Sequence, residues 1–110
     1  MVDVSSPFGS QARTRVLLAV RLLEESYPRE LARALDLPLN SVQMAIRSLE
    51  RDGLLASRRV GRTRLVRLNP RYFARDDLQP YLLTLAAADA DLRRRMTALR
   101  RRPRRSGKPW

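Results

Sequence analysis

Cysteine and histidine are both absent from the 110 residues of this chain. Without cysteine there are no disulfides, no zinc–thiolate sites and no thiol-based sensing. Without histidine the chain lacks the commonest metal ligand and the commonest general base at neutral pH. It also has no glycine-rich phosphate loop and no convergent pair of carboxylates. These absences predict a protein that is not an enzyme and that uses neither a metal nor another cofactor.

Long apolar runs and aromatic residues are scarce as well. No apolar stretch approaches the roughly 20 residues that a membrane-spanning helix needs, and the N-terminus does not read as a secretory signal. The sequence therefore predicts a soluble, intracellular protein with no membrane partner. The chain has only three Tyr, two Phe and one Trp, which argues against binding single-stranded nucleic acid through base stacking.

Positive charge is what the chain has in excess, with a formal net charge of +12. Residues 47–75 hold nine Arg against two carboxylates, and residues 93–110 hold eight Arg and one Lys with no carboxylate. A polyanion is the natural partner of such regions. The alternative is a solvated charged surface on a protein that is generally rich in arginine.

Hydrophobic periodicity predicts a mostly helical chain with one small hairpin. The predicted elements are helices over residues 11–25, 28–35 and 39–52, strands over residues 54–60 and 64–68, and two further helices between residues 77 and 102. Ser10 and Asp89 are predicted N-caps, and Gly53 is a predicted left-handed C-terminal cap. Gly61 suits the first central position of a two-residue hairpin turn.

The helix predicted over residues 39–52 has two different faces. Its apolar side is formed by Val42, Ala45, Ile46 and Leu49. Its opposite side carries candidate DNA contacts, which are Asn40, Ser41, Gln43, Met44, Arg47 and Arg51. Asn and Gln can pair with adenine, Arg with guanine, and an apolar side chain can touch the methyl group of thymine. The alternative is an ordinary solvated helix face.

The hairpin that follows this helix is rich in arginine. Its candidate DNA contacts are Arg58, Arg59, Arg62, Thr63 and Arg64. A β-ribbon with several Arg side chains can reach phosphates or enter a narrow minor groove. The alternative is that these side chains only protect an edge strand from aggregation.

Three segments carry a family resemblance, namely 29–35, 41–55 and 58–70. Over about residues 8–72 the chain resembles the winged helix-turn-helix of ArsR-type bacterial transcriptional regulators. The resemblance implies a homodimeric, cytoplasmic, nucleoid-associated repressor with the third helix as recognition helix and the hairpin as wing. Family members that sense metals use Cys, His or carboxylate clusters, so the resemblance does not extend to metal sensing. Pro38 stands where such proteins often place a capping Ser or Thr. The resemblance therefore defines the first residue of the recognition helix only to within one helical turn.

These observations predict a winged helix-turn-helix with additional C-terminal helices. Its four parts are a flexible N-terminal arm (1–9), the DNA-binding domain (10–72), a C-terminal helical segment (73–102) and a basic disordered tail (103–110). The first helix is apolar on more than one side and the C-terminal segment is rich in leucine, which favours dimerisation through these helices. The alternative is that they cover only their own domain.

Three functions stay open at this point. The first is a sequence-specific regulator that binds double-stranded DNA as a homodimer. The second is an adaptor that binds a partner protein through its basic C-terminal tail, with Trp110 as an anchor. The third is a non-specific binder of nucleic acid, held by charge alone.

Overall fold

The computed structural model describes residues 7–100 of the chain. Residues 1–6 of the predicted arm and residues 101–110, which include the predicted basic tail, lie outside the described residues. The described elements are α1 (Gln11–Leu23), β1 (Glu25–Ser26), α2 (Pro28–Leu35), α3 (Leu39–Arg51), β2 (Leu55–Val60), β3 (Thr63–Leu68), α4 (Arg75–Ala88) and α5 (Ala90–Arg100). The prediction of a mostly helical chain with a small hairpin is confirmed. None of the helices between residues 7 and 100 has the length and apolar run that a membrane-spanning segment requires.

Helix α1 is the centre of the fold. Ser10 caps it as predicted, because its Oγ accepts a hydrogen bond of 3.0 Å from the backbone N–H of Arg13. All residues from Val16 to Val20 have no exposed surface, whereas a helix at a protein surface buries a single stripe. The cover comes from the same chain, since α1 contacts α2, α3, α4, α5 and β3. The burial of α1 therefore does not require a second subunit, and dimerisation stays a prediction.

The end of α1 corrects the sequence prediction. A helix through Glu25 is wrong, because α1 ends at Leu23 and Glu24 adopts a φ of +73°. The backbone N–H of Glu24 donates to the carbonyl of Val20 at 2.8 Å, which closes the helix. Glu25 and Ser26 then pair with β3 as a short antiparallel strand. These bonds to a distant segment outweigh the helical pattern that precedes them.

The predicted bounds of α2 and α3 hold to within one residue. Pro28 is the first residue of α2, where its missing N–H costs nothing. Helix α3 ends at Arg51, and Gly53 has the predicted left-handed φ of +83°. The inner face of α3 is buried as predicted, at Val42, Ala45, Ile46 and Leu49.

The sheet has the strand order β1-β3-β2 and is antiparallel throughout. Strands β2 and β3 form the predicted hairpin, with Gly61 at a φ of +62° in the turn. Asn69 ends β3 and ties the sheet to the end of α3, because its Nδ2 donates to the carbonyl of Gly53 at 2.9 Å. The hairpin is therefore held at a fixed position relative to α3.

Helices α4 and α5 complete the core with Leu82, Ala86, Leu92 and Met96. Asp89 caps α5 as predicted, with its Oδ1 accepting a bond of 3.0 Å from the N–H of Leu92. Helix α4 begins at Arg75, earlier than expected, so Pro80 lies in its second turn and not in the first. The carbonyl that Pro80 leaves without a helical partner belongs to Asp76, whose side chain is 93% exposed at the outer surface of the helix.

The described end of the N-terminal segment is attached to the core. Phe8 packs against the core cluster, and its backbone N–H donates to Thr14 Oγ1 at 3.1 Å. The Nε of Arg13 in turn donates to the carbonyl of Phe8 at 2.7 Å. The predicted loose arm is therefore anchored from Phe8 onward.

An ion-pair cluster fastens α5 to α1. Arg15 contacts Asp89 at 3.3 Å and Asp91 at 3.0 Å, and Arg95 Nε donates to Asp91 at 2.9 Å. Hydrogen bonds from Arg95 and Arg15 lower the pKa of Asp91 from 3.8 to about 2, and the bond to Asp91 raises the pKa of Arg95. The carboxylate form of Asp91 is thus stabilised by the folded state.

We expect this stabilisation to depend on pH. Because the folded-state pKa of Asp91 is depressed, its contribution is complete above about pH 4 and is lost as the pH falls towards 2. Urea midpoints measured between pH 5 and pH 2 should fall more steeply for the native protein than for Asp91→Asn. Asp76→Asn, at an exposed position of α4, is the control and should follow the native curve. Parallel native and Asp91→Asn curves would contradict the prediction.

Candidate nucleic-acid interface

The polar face of α3 is open to solvent. Most of the side chains predicted to contact DNA are exposed, namely Asn40, Gln43, Met44, Arg47 and Arg51, and Ser41 is half-buried. Met44 is 58% exposed, an unusual position for a large apolar side chain. The structure therefore places this predicted set on one accessible surface.

The carboxylates near α3 are engaged elsewhere. Asp52 accepts a bond of 2.8 Å from Arg13, which also donates to Ser48, and Glu50 accepts from the hydroxyl of Ser57. Among the ion pairs of residues 7–100, none includes Arg47 or Arg51. The exposed face of α3 thus presents guanidinium and amide groups without neutralising partners.

The hairpin has two faces that carry different arginines. Ser57 and Val66 are paired in register and line a cleft against α3 together with Arg64. Because side chains alternate along a strand, Arg59 shares this face. Arg58 and Thr63 point to the opposite face of the sheet. The structure therefore brings two of the five predicted hairpin contacts, Arg59 and Arg64, to the side of α3. Arg58 and Thr63 lie on the other face, and Arg62 lies in the turn.

Arg59 and Arg64 are directly opposite each other in the register of β2 and β3. Both side chains are exposed, and no ion pair within the described residues includes either of them. Like charges at directly opposed positions destabilise a sheet. An anion bound between them would remove this repulsion, so the pair has the chemistry of a phosphate site.

A polar chain from α3 to the hairpin was missed by the sequence prediction. The hydroxyl of Ser57 donates to Glu50 and accepts from Arg64 Nε at 3.1 Å and from Arg64 Nη2 at 2.9 Å. Glu50 thereby orients the guanidinium of Arg64 through Ser57. The alternation of β2 could have placed Ser57 on the side of α3, but its partner Arg64 follows only from the strand register.

The cleft between α3 and the hairpin has a volume of about 320 Å³. Gln43, Arg47 and Glu50 line it from α3, and Ser57 and Arg64 line it from the sheet. Two guanidinium groups and an amide thus face one concave surface together with the carboxylate of Glu50, which accepts the hydrogen bond from Ser57. Such a surface offers hydrogen-bond donors that can contact both base edges and the sugar–phosphate backbone of a bound duplex.

Comparisons of the chain with models of known protein families, with curated proteins and with solved structures give no match. The interpretation of the surface consequently depends on its own residues. Within residues 7–100, no group of three carboxylate, Cys or His side chains could hold a metal ion. The groups that the surface does offer are hydrogen-bond donors and positive charges.

Proposed function

We propose that this protein is a winged helix-turn-helix regulator of transcription that binds double-stranded DNA as a homodimer and acts as a repressor without catalysing a reaction. In this proposal α3 enters the major groove and the β2–β3 hairpin is the wing. The observation that carries the proposal is the exposed face of α3, where Arg47 and Arg51 form no ion pair within the described residues, beside the directly opposed pair Arg59 and Arg64. A merely solvated surface gives no reason for two guanidinium groups to lie directly opposite each other without a carboxylate in an ion pair with either of them.

Each part of the surface has a separate role in this proposal. Gln43 and Arg47 read adenine and guanine edges, and Met44 contacts the methyl group of thymine. Asn40, Ser41 and Arg51 hold phosphates at the two ends of α3. Arg59, Arg62 and Arg64 contact the backbone or a narrow minor groove, and they supply affinity more than selectivity.

Selection from a random library of duplex DNA tests the proposal. The full-length protein is incubated near physiological salt with excess competitor DNA, and bound duplexes are sequenced. We expect enrichment of a two-fold symmetric site with half-sites about 10 base pairs apart, one turn of the double helix. Binding that falls steeply with salt but enriches no sequence would contradict sequence-specific recognition and support binding by charge alone.

The outer face of α4 supports the homodimer. Its exposed residues after Asp77 carry no charge, and they are Pro80, Tyr81, Leu83, Thr84, Ala87 and Ala88. In a chain with a net charge of +12, a second copy meets the least repulsion at such a neutral surface. Tyr81 and Leu83 are 46% and 42% exposed, so pairing would also bury apolar area.

Pairing through α4 is compatible with DNA geometry. Helix α1 packs against both α3 and α4, so a contact between two α4 helices leaves both α3 faces free. Packed helices lie roughly 8–10 Å apart, and the path from one α3 to the other crosses five such contacts. The two recognition helices are then separated by at most about 40–50 Å. The spacing of about 34–36 Å that one turn of DNA requires lies within this limit.

A charge placed on this face should separate the subunits. Thr84→Arg puts two like charges at the α4–α4 contact, and we expect the dimer dissociation constant to rise by about 10-fold or more. Sedimentation equilibrium measures the change. Thr97→Arg, the same substitution at an exposed position of α5, is the control and should leave the dimer intact. A native protein that is monomeric, or a Thr84→Arg variant that dimerises normally, would contradict pairing through α4.

A further inference from the structure

A larger cavity lies on the face of the sheet that points away from α3. It has a volume of about 740 Å³, is open to solvent on one side, and is lined by the end of α1, the segment of β1, the hairpin and Gln79 of α4. This volume lies in the range of small-molecule binding sites, roughly 300–1,000 Å³. The cavity is separate from the cleft that faces α3, because no residue lines both.

The cavity joins an apolar floor to positively charged walls. Leu23, Val60 and Leu65 contribute aliphatic surface, while Arg21, Arg58 and Arg67 contribute guanidinium groups from α1, β2 and β3. Pockets that bind organic molecules combine mostly apolar walls with a few polar groups that fix orientation. The floor suits an apolar body, and the walls suit a negative charge.

Arg58 and Arg67 are available to a ligand. Both side chains are exposed, and neither takes part in a hydrogen bond or an ion pair with another described residue. The third guanidinium is fixed in place, since Arg21 Nε donates to the carbonyl of Gln79 at 3.3 Å. Glu24 and Glu25 also line the cavity, and Glu25 lies directly opposite Arg67 in the register of β1 and β3. Three cations therefore face two carboxylates, and the lining keeps a net charge of +1 that favours an anion.

The backbone at Glu24 is a separate observation that points to the same place. Its φ of +73° and ψ of −49° lie in a region that residues other than glycine rarely adopt. Strained backbone of this kind concentrates at ligand-binding and catalytic sites, where the surrounding structure holds it in place. Here the strained residue forms part of the cavity wall.

We propose that this cavity binds an organic anion with an apolar body, such as an aromatic or medium-chain carboxylate. The carboxylate lies between Arg58 and Arg67, and the apolar body lies on the aliphatic floor. The cavity and the proposed DNA surface are opposite faces of the same hairpin, because Arg58 and Arg59 are consecutive residues of β2. An effect of the ligand on DNA binding rests on the proposed function, whereas ligand binding itself does not.

Titration calorimetry of the full-length protein with 2-naphthoate and with octanoate tests the proposal. We expect saturable binding of at least one probe, and at least 10-fold weaker binding of 2-naphthalenemethanol, which keeps the apolar body and lacks the charge. The double variant Arg58→Ala with Arg67→Ala should weaken carboxylate binding at least 10-fold. Both of these side chains are exposed, so the variant should keep the fold, and circular dichroism verifies this.

The matched control is Arg59→Ala with Arg64→Ala, which removes the same two charges from the other face of the same strands. It should bind the carboxylate within twofold of the native protein. No saturable binding of either carboxylate, or equal weakening in the two double variants, would overturn the proposal. DNA affinity is measured on the same proteins, so that failure of the proposed function shows as absent DNA binding while carboxylate binding is unaffected.

Discussion

Replacing Gln43 and Arg47 together by alanine should remove most of the preference of this protein for its selected DNA site. Both side chains lie on the exposed face of α3 and line the cleft towards the hairpin. A side chain that pairs with a base edge in two places contributes roughly 1–3 kcal/mol of discrimination. Without both side chains, binding to the selected site should therefore weaken by roughly 30-fold to 20,000-fold. Binding to a scrambled duplex should change much less.

The hairpin variant Arg59→Ala with Arg64→Ala provides the contrast. These side chains are proposed to contact phosphates, so their removal should weaken binding to selected and scrambled duplexes alike. The dependence of log affinity on log salt should also become shallower, by about 0.9 for each phosphate that the variant no longer neutralises. Fluorescence anisotropy with both duplexes at several salt concentrations measures the two effects. If the α3 variant and the hairpin variant change the two duplexes in the same way, base reading by α3 is wrong.

Local chemistry made much of the fold predictable. Pro28 marks the beginning of α2, and Gly53 follows the end of α3. At both positions the backbone preference of the residue leaves few alternatives. Ser10 and Asp89 cap helices because a short oxygen-bearing side chain reaches the free N–H groups of the first turn. The exposed face of α3 could also be predicted from the sequence, because helical periodicity alone separates its polar residues from the buried Val42 and Leu49.

Contacts between distant segments were not predictable in the same way. Strand β1 exists only because Glu25 and Ser26 pair with Arg67 and Val66, and no local pattern of two residues could reveal it. Proximity in sequence predicts a single group of hairpin arginines. Strand register divides them, and it assigns Arg58 to the cavity face and Arg59 to the face of α3.

Met96→Ala should lower the free energy of unfolding by about 2–5 kcal/mol, a large part of the 5–15 kcal/mol that stabilises a typical domain. Met96 lies on α5, is 3% exposed and belongs to the same core cluster as Val16 of α1 and Leu49 of α3. Removing its side chain leaves a cavity that the packed helices cannot easily close. Met44→Ala makes the same chemical change at an exposed position of α3 and, without DNA, should alter the free energy of unfolding by less than about 0.5 kcal/mol.

Urea unfolding followed by circular dichroism measures the free energy of unfolding of both variants. It also tests whether the chain unfolds as one unit or as two. The sequence predicted residues 73–102 as a segment appended to a domain of residues 10–72, yet Leu82, Leu92 and Met96 share one core cluster with α1. If the helices of both parts unfold together, Met96→Ala shifts a single transition that includes α1, α3 and the hairpin. Two separate transitions, with only the weaker one moved by Met96→Ala, would show that α4 and α5 pack independently. That outcome would favour the predicted division into a domain of residues 10–72 and an appended helical segment.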